Sequence, residues 1–202
     1  MPRHGILSLE MKILNRNLII FLLLISSGSF AQKKVKPKET ARANIVMLKT
    51  GALLVRLKTS DLKINALKSK GMEKEAEEIR LAQEVTNKKI VAAFRQDYQF
   101  SKVYFFYSSH SNKIKEGAHK GYLLNFEMLP DSSFTGQDYL VGEFDESQNT
   151  QIDAFIIKDK NYVQLKKPFP SFVKQTEYGV STRSNNEMVT TINENLFDFY
   201  NK

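Results

Sequence analysis

Short apolar runs alternate along this chain with longer stretches of helical periodicity. The first run, residues 52–58, lies between Gly51 and Ser60, and the second is Lys102–Tyr107. The residues between the two runs are charged, with apolar positions three and four apart, which is typical of helices. A strand, a helical connection and a strand predict a β-α-β unit with parallel strands and the connection across one face.

The segment before the first strand admits two interpretations. Ile45–Leu48 either forms a strand that turns at Gly51 into the next one, or residues 44–57 form one helix interrupted at Gly51. Periodicity does not decide between them for such short runs. We favour a strand at 52–58, because this run is short and rich in branched residues.

Two helices are expected between the first two strands. Ser60 is placed to cap the first, with Asp61 in its first turn and Gly71 at its end. The second extends from Glu73 to about Gln96. Its apolar stripe predicts that it lies on the sheet, and the stripe consists of Ala76, Ile79, Ala82, Ile90, Ala93 and Phe94.

The second strand, Lys102–Tyr107, shows no alternation of apolar and polar residues. This pattern predicts a central strand that is covered on both faces. Ser184 and Glu187 have the spacing of a capping box. The amphipathic helix that follows them is predicted to cover the face opposite helix 73–96.

Three more strands are expected, at 121–126, 139–144 and 152–158. The third is predicted to form a hairpin with residues 162–165. The proline-containing segment Pro168–Phe172 is predicted to end the sheet, because proline cannot donate a ladder hydrogen bond.

This order predicts an α/β (or α+β) fold with a mixed central sheet flanked by helices on both faces. The order β-α-α-β, then a short strand or turn, β-β and a final helix resembles the thioredoxin-like arrangement. That family's CxxC motif is absent, so the resemblance is to topology alone and implies no redox function. The chain also resembles uncharacterised exported bacterial proteins, a likeness that implies no activity.

Composition limits the chemistry that the chain can perform. Its 202 residues, 42% of them hydrophobic, suit one domain whose core needs neither metal nor disulfide. Because cysteine is absent, disulfide frameworks, thiol catalysis and thiolate metal sites are excluded.

The N-terminal region, residues 1–31, has the features of a secretory signal peptide. A basic segment precedes the apolar run Leu18–Ile25, and Ser29 and Ala31 are small residues at a cleavage position. The run is too short for a membrane span, and Met11 is the better start. We therefore expect export to the periplasm or the medium, with no transmembrane span in the mature chain.

Residues 32–43 are predicted to be a flexible basic leader before a single α/β domain at 44–202. The leader is either a solvated spacer or a weak contact with an anionic envelope surface. Without residues 1–31 the formal net charge falls from +8 to +6. Lysines interleave with acids over most of the chain, which argues against a nucleic-acid partner.

Polar residues follow the second strand at the edge where open α/β sheets bind ligands. Ser108, Ser109, His110 and Lys113 could hold a phosphate or a carboxylate there. The alternative is a polar loop with no ligand. No GxSxG elbow surrounds these serines, and adjacency in sequence does not make a serine and a histidine a catalytic pair.

The remaining candidates are weaker. His110 and His119 with Glu116 and Asp131 lack a recognised ligand spacing, so no metal site is predicted. No GxGxxG or GxxxxGK pattern occurs, so no cofactor is predicted.

Glu143 and Asp145 lie two residues apart on a predicted strand and therefore share one face. Paired carboxylates serve glycoside hydrolases. Alternate acids on a strand are also typical of its solvent-facing side, which is the interpretation that we favour here.

These observations predict an exported, non-catalytic binding or interaction module of the bacterial envelope, with an unknown protein or small-molecule partner. One alternative is a small enzyme or ligand binder at residues 108–113 with His110 as acid or base. It requires a carboxylate within hydrogen-bond reach of His110 in a concave pocket. Another alternative is a membrane-surface protein attached through Lys33–Arg42.

Overall fold

A five-stranded mixed sheet organises the part of the chain that the computed structural model describes, residues 36–146, 152–177 and 181–202. Its order is β2-β1-β3-β4-β5, and a separate two-stranded ribbon pairs β6 with β7. The strands are β1 (Ala52–Leu57), β2 (Lys102–Tyr107), β3 (Tyr139–Glu146), β4 (Asp153–Lys158), β5 (Phe172–Lys174), β6 (Thr176–Glu177) and β7 (Ser181–Thr182). The helices are α1 (Pro37–Thr50), α2 (Asp61–Lys68), α3 (Glu73–Asp97), α4 (Ser111–Lys115) and α5 (Asn185–Tyr200).

The predicted β-α-β unit is confirmed. β1 and β2 are parallel, with Ala52 opposite Lys102 and Leu57 opposite Tyr107, and α2 and α3 form the connection between them. β3 also runs parallel to β1, whereas β4 and β5 are antiparallel to their neighbours. The sheet is therefore mixed, as expected for this α/β fold.

The prediction that Lys102–Tyr107 is a central strand is wrong, because β2 lies at the edge of the sheet and β1 lies inside it. The apolar side chains of β2 are covered on both faces, which explains the misleading pattern. Its outer edge is shielded at Phe105, whose backbone N–H donates to the Leu124 carbonyl at 2.9 Å. A two-sided apolar pattern thus reports coverage of the faces and not the number of neighbouring strands.

Helices α1, α3 and α5 cover one face of the sheet together. Phe94 of α3 lies at the centre of this layer, with Phe105 and Phe155 at ring distances of 6.0 and 5.5 Å. The expectation that the C-terminal helix covers the opposite face is wrong, since α5 packs beside α3. Asn186 of α5 donates to the Asp97 carboxylate at 2.7 Å.

The opposite face is covered by the connection from β2 to β3. Ile114 of the short helix α4 and two loop residues, Leu123 and Phe134, bury Leu54 and Phe106. A five-residue helix and an irregular loop have no extended periodicity, so the pattern of the chain could not reveal this layer. The strand predicted at 121–126 falls within this loop and is wrong, since only two isolated bridges form there, from Leu124 to Phe105 and to Pro130.

The basic stretch predicted to be flexible as far as Ala43 is helical from Pro37 onwards. Its outer part, residues 32–35, lies outside the described residues. Arg42 on α1 donates to the carbonyls of Phe199 and Tyr200 at 3.2 and 2.7 Å, at the carboxyl end of α5. That end carries unsatisfied carbonyls and partial negative charge, so Arg42 adds a charged contact to the apolar packing of Ala41, Ile45 and Leu48 in the core.

Neither interpretation of residues 44–57 describes the structure completely. α1 ends at Thr50 and β1 begins at Ala52, so this segment is a helix followed by the favoured strand. Gly51 makes the transition where the backbone approaches Asp138. A Cβ atom on Gly51 would lie 2.1 Å from the Asp138 carbonyl oxygen, so only glycine fits there.

At the other end of the sheet, the strands predicted at 139–144 and 152–158 are confirmed as β3 and β4. Residues 162–165 do not form the predicted hairpin strand, and they contribute only a bridge from Gln164 to Lys158. The sheet does not end at Pro168–Phe172, because β5 begins at Phe172 and pairs with β4. The prolines precede this strand and do not interrupt its ladder.

Of the two predicted helix caps, one is present in the structure and the other is not. The capping box of α5 is confirmed, with Ser184 N–H donating to Glu187 Oε2 at 2.7 Å. Ser60 does not cap α2 through its side chain; it has φ of 58° and its hydroxyl donates to Gln83 Oε1 at 2.8 Å. Tertiary contact with α3 therefore replaces the local cap.

We expect Arg42→Ala to lower the free energy of unfolding by about 1 kcal/mol, because the last carbonyls of α5 lose a charged donor. Urea unfolding followed by circular dichroism measures this loss. Lys38→Ala on the same helix, where the side chain is exposed, is the control and is expected to change little. Equal losses in both variants would contradict the role given to Arg42.

Candidate functional site

The parallel strands β1 and β2 end at the same edge of the sheet, called here the carboxyl edge. The connection after β1 covers one face and the connection after β2 covers the other, which creates the crevice where α/β sheets bind ligands. Ser108 and Thr59 face each other across this crevice. The Thr59 N–H donates to Ser108 Oγ at 3.0 Å, and the two hydroxyl oxygens lie 2.9 Å apart. Ser108 therefore ties the two strand ends together.

The other residues predicted after β2 do not converge with Ser108. Ser109 is exposed, and Lys113 is exposed with its Nζ 3.6 Å from Glu116. His110 is half-buried between Tyr107 and Tyr122, with ring distances of 6.4 and 5.0 Å. Its Nδ1 has no hydrogen-bond partner within the described residues. The imidazole is therefore held by aromatic packing and has no carboxylate to orient it through this nitrogen.

A chain of hydrogen bonds holds the connection after β1 against α3. Ser60 Oγ donates to Gln83 Oε1, Gln83 Nε2 donates to Asn87 Oδ1 at 3.2 Å, and Asn87 Nδ2 donates to the Lys58 carbonyl at 2.8 Å. Asn87 is buried, and its amide has both a donor and an acceptor partner. These hydrogen-bonded side chains, called here the base of the grooves, are therefore fixed in position.

Two grooves flank this hydrogen-bonded base. The first, called the β2-side groove, has a volume of about 500 Å³ and lies between α2, α3 and the end of β2. Its lining contains four cationic side chains and two carboxylates, namely Lys58, Lys68, Arg80, Lys88, Asp61 and Glu84. None of Ser108, Ser109, His110 and Lys113 lines it.

The charges of the β2-side groove are unevenly paired. Glu84 accepts from Arg80 at 3.2 Å and from Lys88 at 2.7 Å, so one carboxylate serves two cations. Lys68 has no ion-pair partner among the residues that the structure describes. Arg80 also pairs with Glu77 at 2.8 Å and Lys58 with Asp145 at 2.9 Å, which leaves Lys68 as the cation of the described lining outside these pairs.

Sequence reasoning missed this groove, although a signal was present. Arg80, Gln83, Glu84, Asn87 and Lys88 recur at intervals of three and four along α3 and form one polar stripe. A polar stripe on a helix is typical of a solvent-exposed face, so the pattern alone does not indicate a groove. Only the packing of α2 beside α3 turns part of that face into a concave surface.

The second groove, called the β3-side groove, has a volume of about 430 Å³ and lies on the other side of α2 and α3. It shares Lys58, Gln83 and Asn87 with the first groove. Among the described residues, its lining contains four apolar, four uncharged polar and three cationic side chains, and no carboxylate. The two grooves therefore differ in chemistry while sharing one rigid base.

A buried ion cluster lies on the α4 face of the sheet. Glu143 is 2% exposed, and its carboxylate pairs with Arg56 at 2.9 Å and with Lys158, which is 6% exposed. Arg56 Nε also donates to Ser111 Oγ at 2.9 Å, and the Tyr162 hydroxyl donates to the Ser111 carbonyl at 2.9 Å. The cluster connects β1, β3, β4 and α4 across the sheet.

Glu143 and Asp145 lie on the same strand, as predicted, and each is engaged with cations. Asp145 accepts from Lys58 at 2.9 Å. Burial acts to raise the pKa of Asp145, but the hydrogen bond and charge of Lys58 outweigh it, so the pKa is lowered. Both carboxylates therefore pair with lysine or arginine, and the lowered pKa of Asp145 is unlike that of the acid of a glycoside hydrolase, whose pKa is raised.

The residues considered for a metal site are separated. His119 is buried against Phe134 and Tyr139, with ring distances of 5.1 and 5.2 Å, and its Nε2 has no hydrogen-bond partner in the part of the chain that the structure describes. Within residues 36–146, 152–177 and 181–202, no group of three His, Asp or Glu side chains is placed to hold a metal.

The chain matches no protein-family model, no curated protein and no solved structure. The likeness to the thioredoxin-like arrangement therefore has no support beyond the order of helices and strands. Among the helices of the described residues, none is both long and apolar enough to cross a membrane.

We expect Glu143→Gln to destabilise the fold by about 3 kcal/mol or more, since it leaves Arg56 and buried Lys158 without a counter-charge. Asp145→Asn, which breaks the half-exposed pair with Lys58, is the control and should cost about 1 kcal/mol or less. Urea unfolding of the two variants measures both losses. Similar small losses would show that Glu143 does not hold the cluster together.

We expect stability to fall as pH decreases below the ordinary histidine pKa of 6.5, because burial lowers the pKa of His119. The unfolded chain then binds a proton that the folded chain does not, which favours unfolding until the pH reaches the folded pKa. Melting temperatures measured between about pH 7.5 and about pH 5.5 test this. His119→Phe should flatten the dependence, and His110→Gln should keep it. If His119→Phe leaves the pH dependence of stability unchanged, a titratable group other than His119 is its cause.

Proposed function

We propose that the chain is a non-catalytic binding module that holds a small anionic ligand in the β2-side groove. The observation that carries this proposal is Lys68, which lines the groove at the carboxyl edge and has no ion-pair partner among the described residues, whereas the other cations of the lining are paired with carboxylates. Ligands of α/β sheets bind at this edge. A ligand anion would supply a direct ion-pair partner for Lys68.

The groove also indicates the size and character of the ligand. Its volume of about 500 Å³ lies within the range of small-molecule sites, which is roughly 300–1,000 Å³. Ile64, Tyr107 and Met128 add apolar surface beside the cations. A carboxylate or phosphate compound with a small apolar or aromatic part satisfies both features.

Binding is favoured over catalysis by the surroundings of His110. A catalytic imidazole is oriented by a hydrogen bond to its second nitrogen and faces a concave site. His110 does not line the β2-side groove, and its Nδ1 has no partner among the described residues. The enzyme alternative at residues 108–113 therefore has the weaker support.

We further propose that the module acts outside the cytoplasm, an inference that rests on the signal-peptide pattern of residues 1–31. Attachment to a membrane surface through Lys33–Arg42 remains a second proposal with less support, because Arg42 is engaged with the carboxyl end of α5.

A thermal-shift screen with inorganic phosphate, sugar phosphates, nucleotides and dicarboxylates tests the proposed ligand class. A ligand at a hundred times its dissociation constant should stabilise the protein by about 2.7 kcal/mol. We expect Lys68→Glu to abolish the shift and added salt to weaken it.

The matched control is Lys70→Glu, which makes the same charge change at an exposed residue that does not line the groove. It should leave the shift unchanged. If both variants lose the thermal shift equally, the anion is attracted by the overall charge of the protein, which would contradict a site in the β2-side groove. A panel without any stabilising anion would contradict the proposed function itself.

A further inference from the structure

We propose that the β3-side groove is a second binding site, whose ligand is an amphipathic anion with one alkyl chain and a carboxylate or phosphate head. This goes beyond the proposed function, which concerns the β2-side groove. The ligand class is inferred from an apolar wall, a cationic rim and a volume of about 430 Å³.

The apolar wall comes from one side of α3 and from the end of β3. Ile79, Ala82 and Ile90 share a face of the helix with three uncharged polar residues of the lining, and Phe144 lies opposite them. Phe144 is held in place by rings of the core, with Phe155 at 5.0 Å and Phe94 at 6.5 Å. An alkyl chain laid along this wall would remove apolar surface from water on both partners.

The cationic rim consists of Arg56, Lys58 and Lys63, and no carboxylate of the described residues lines this groove. Arg56 is committed to Glu143, and Lys58 pairs with Asp145 in a half-exposed ion pair. Lys63 is exposed and has no ion-pair partner within the described ranges. The head group is therefore expected at Lys63, where its negative charge is not opposed by a protein carboxylate.

The sign of the ligand's charge and the number of its alkyl chains follow from the lining and the volume of the groove. A cationic amphiphile would meet Lys63, whose charge has no ion-pair partner among the described residues, which disfavours it. The volume of about 430 Å³ lies near the lower end of small-molecule sites, roughly 300–1,000 Å³, so the groove suits one chain and not the two chains of a membrane phospholipid.

Isothermal titration of the purified protein with octanoate, decanoate and dodecanoate, each below its micelle concentration, tests the proposal. We expect the dissociation constant to tighten about fourfold per added methylene, which is the effect of burying each group. An alkyl trimethylammonium of the same chain length should bind at least about tenfold more weakly. Lys63→Glu should also weaken the binding of the alkyl carboxylates, because it removes the cation at which their head group is expected.

Two neighbouring substitutions on α3 form a matched pair. Ala82→Glu places a negative charge in the β3-side groove, whereas Leu81→Glu places it on an exposed position outside both grooves. We expect Ala82→Glu to weaken dodecanoate binding at least about tenfold and Leu81→Glu to leave it unchanged. Circular dichroism confirms that both variants are folded.

Several outcomes would overturn the proposal. These are affinity independent of chain length, equal binding of the cationic amphiphile, or equal effects of Ala82→Glu and Leu81→Glu. Binding to vesicles of an anionic phospholipid without binding to monomeric alkyl carboxylates would assign the interaction to a membrane surface instead. Lys68→Glu should not alter dodecanoate binding, so failure at this groove is distinguishable from failure of the proposed function.

Discussion

The structure depends on the burial of β1 on both faces and along both edges. Ala52–Leu57 pairs with β2 and β3, and two separate layers cover its side chains. Arg56 is the strand's one polar side chain. Its charge must therefore be satisfied from within the fold, by Glu143 and Ser111. The ion cluster on the α4 face is thus a consequence of where β1 lies.

The basic residues of this chain serve four different purposes, which depend on their tertiary neighbours. Arg42 satisfies the carboxyl end of α5, and Lys49 lies over the Phe100 ring with its Nζ 4.8 Å from the centroid. Lys158 is buried with Glu143. Lys63 and Lys68 border the two grooves without an ion-pair partner among the described residues. Net charge alone could not separate these roles, because pairing and burial decide them.

Local sequence signals predicted much of the secondary structure but less of its arrangement. The apolar stripe of α3 and the capping box at Ser184 located two helices, because both signals arise within a few turns of chain. The placement of α5 beside α3 was missed, since an amphipathic helix shows that it packs and not which face it covers. The carboxyl edge was located from the β-α-β order. The residues expected to bind there were not brought together, because Ser108 bonds to Thr59 while His110 packs among tyrosines.

The sequence by itself determined the α/β class, the parallel pair β1 and β2, and the absence of thiol chemistry, because composition and short-range periodicity carry that information. Tertiary structure alone decided that β2 is an edge strand, that α1 joins the domain, and that residues 117–138 form the second covering layer. It also decided the two grooves, since their walls combine side chains from α2, α3 and strand ends far apart in the chain. Such surfaces depend on long-range packing, which no local pattern records.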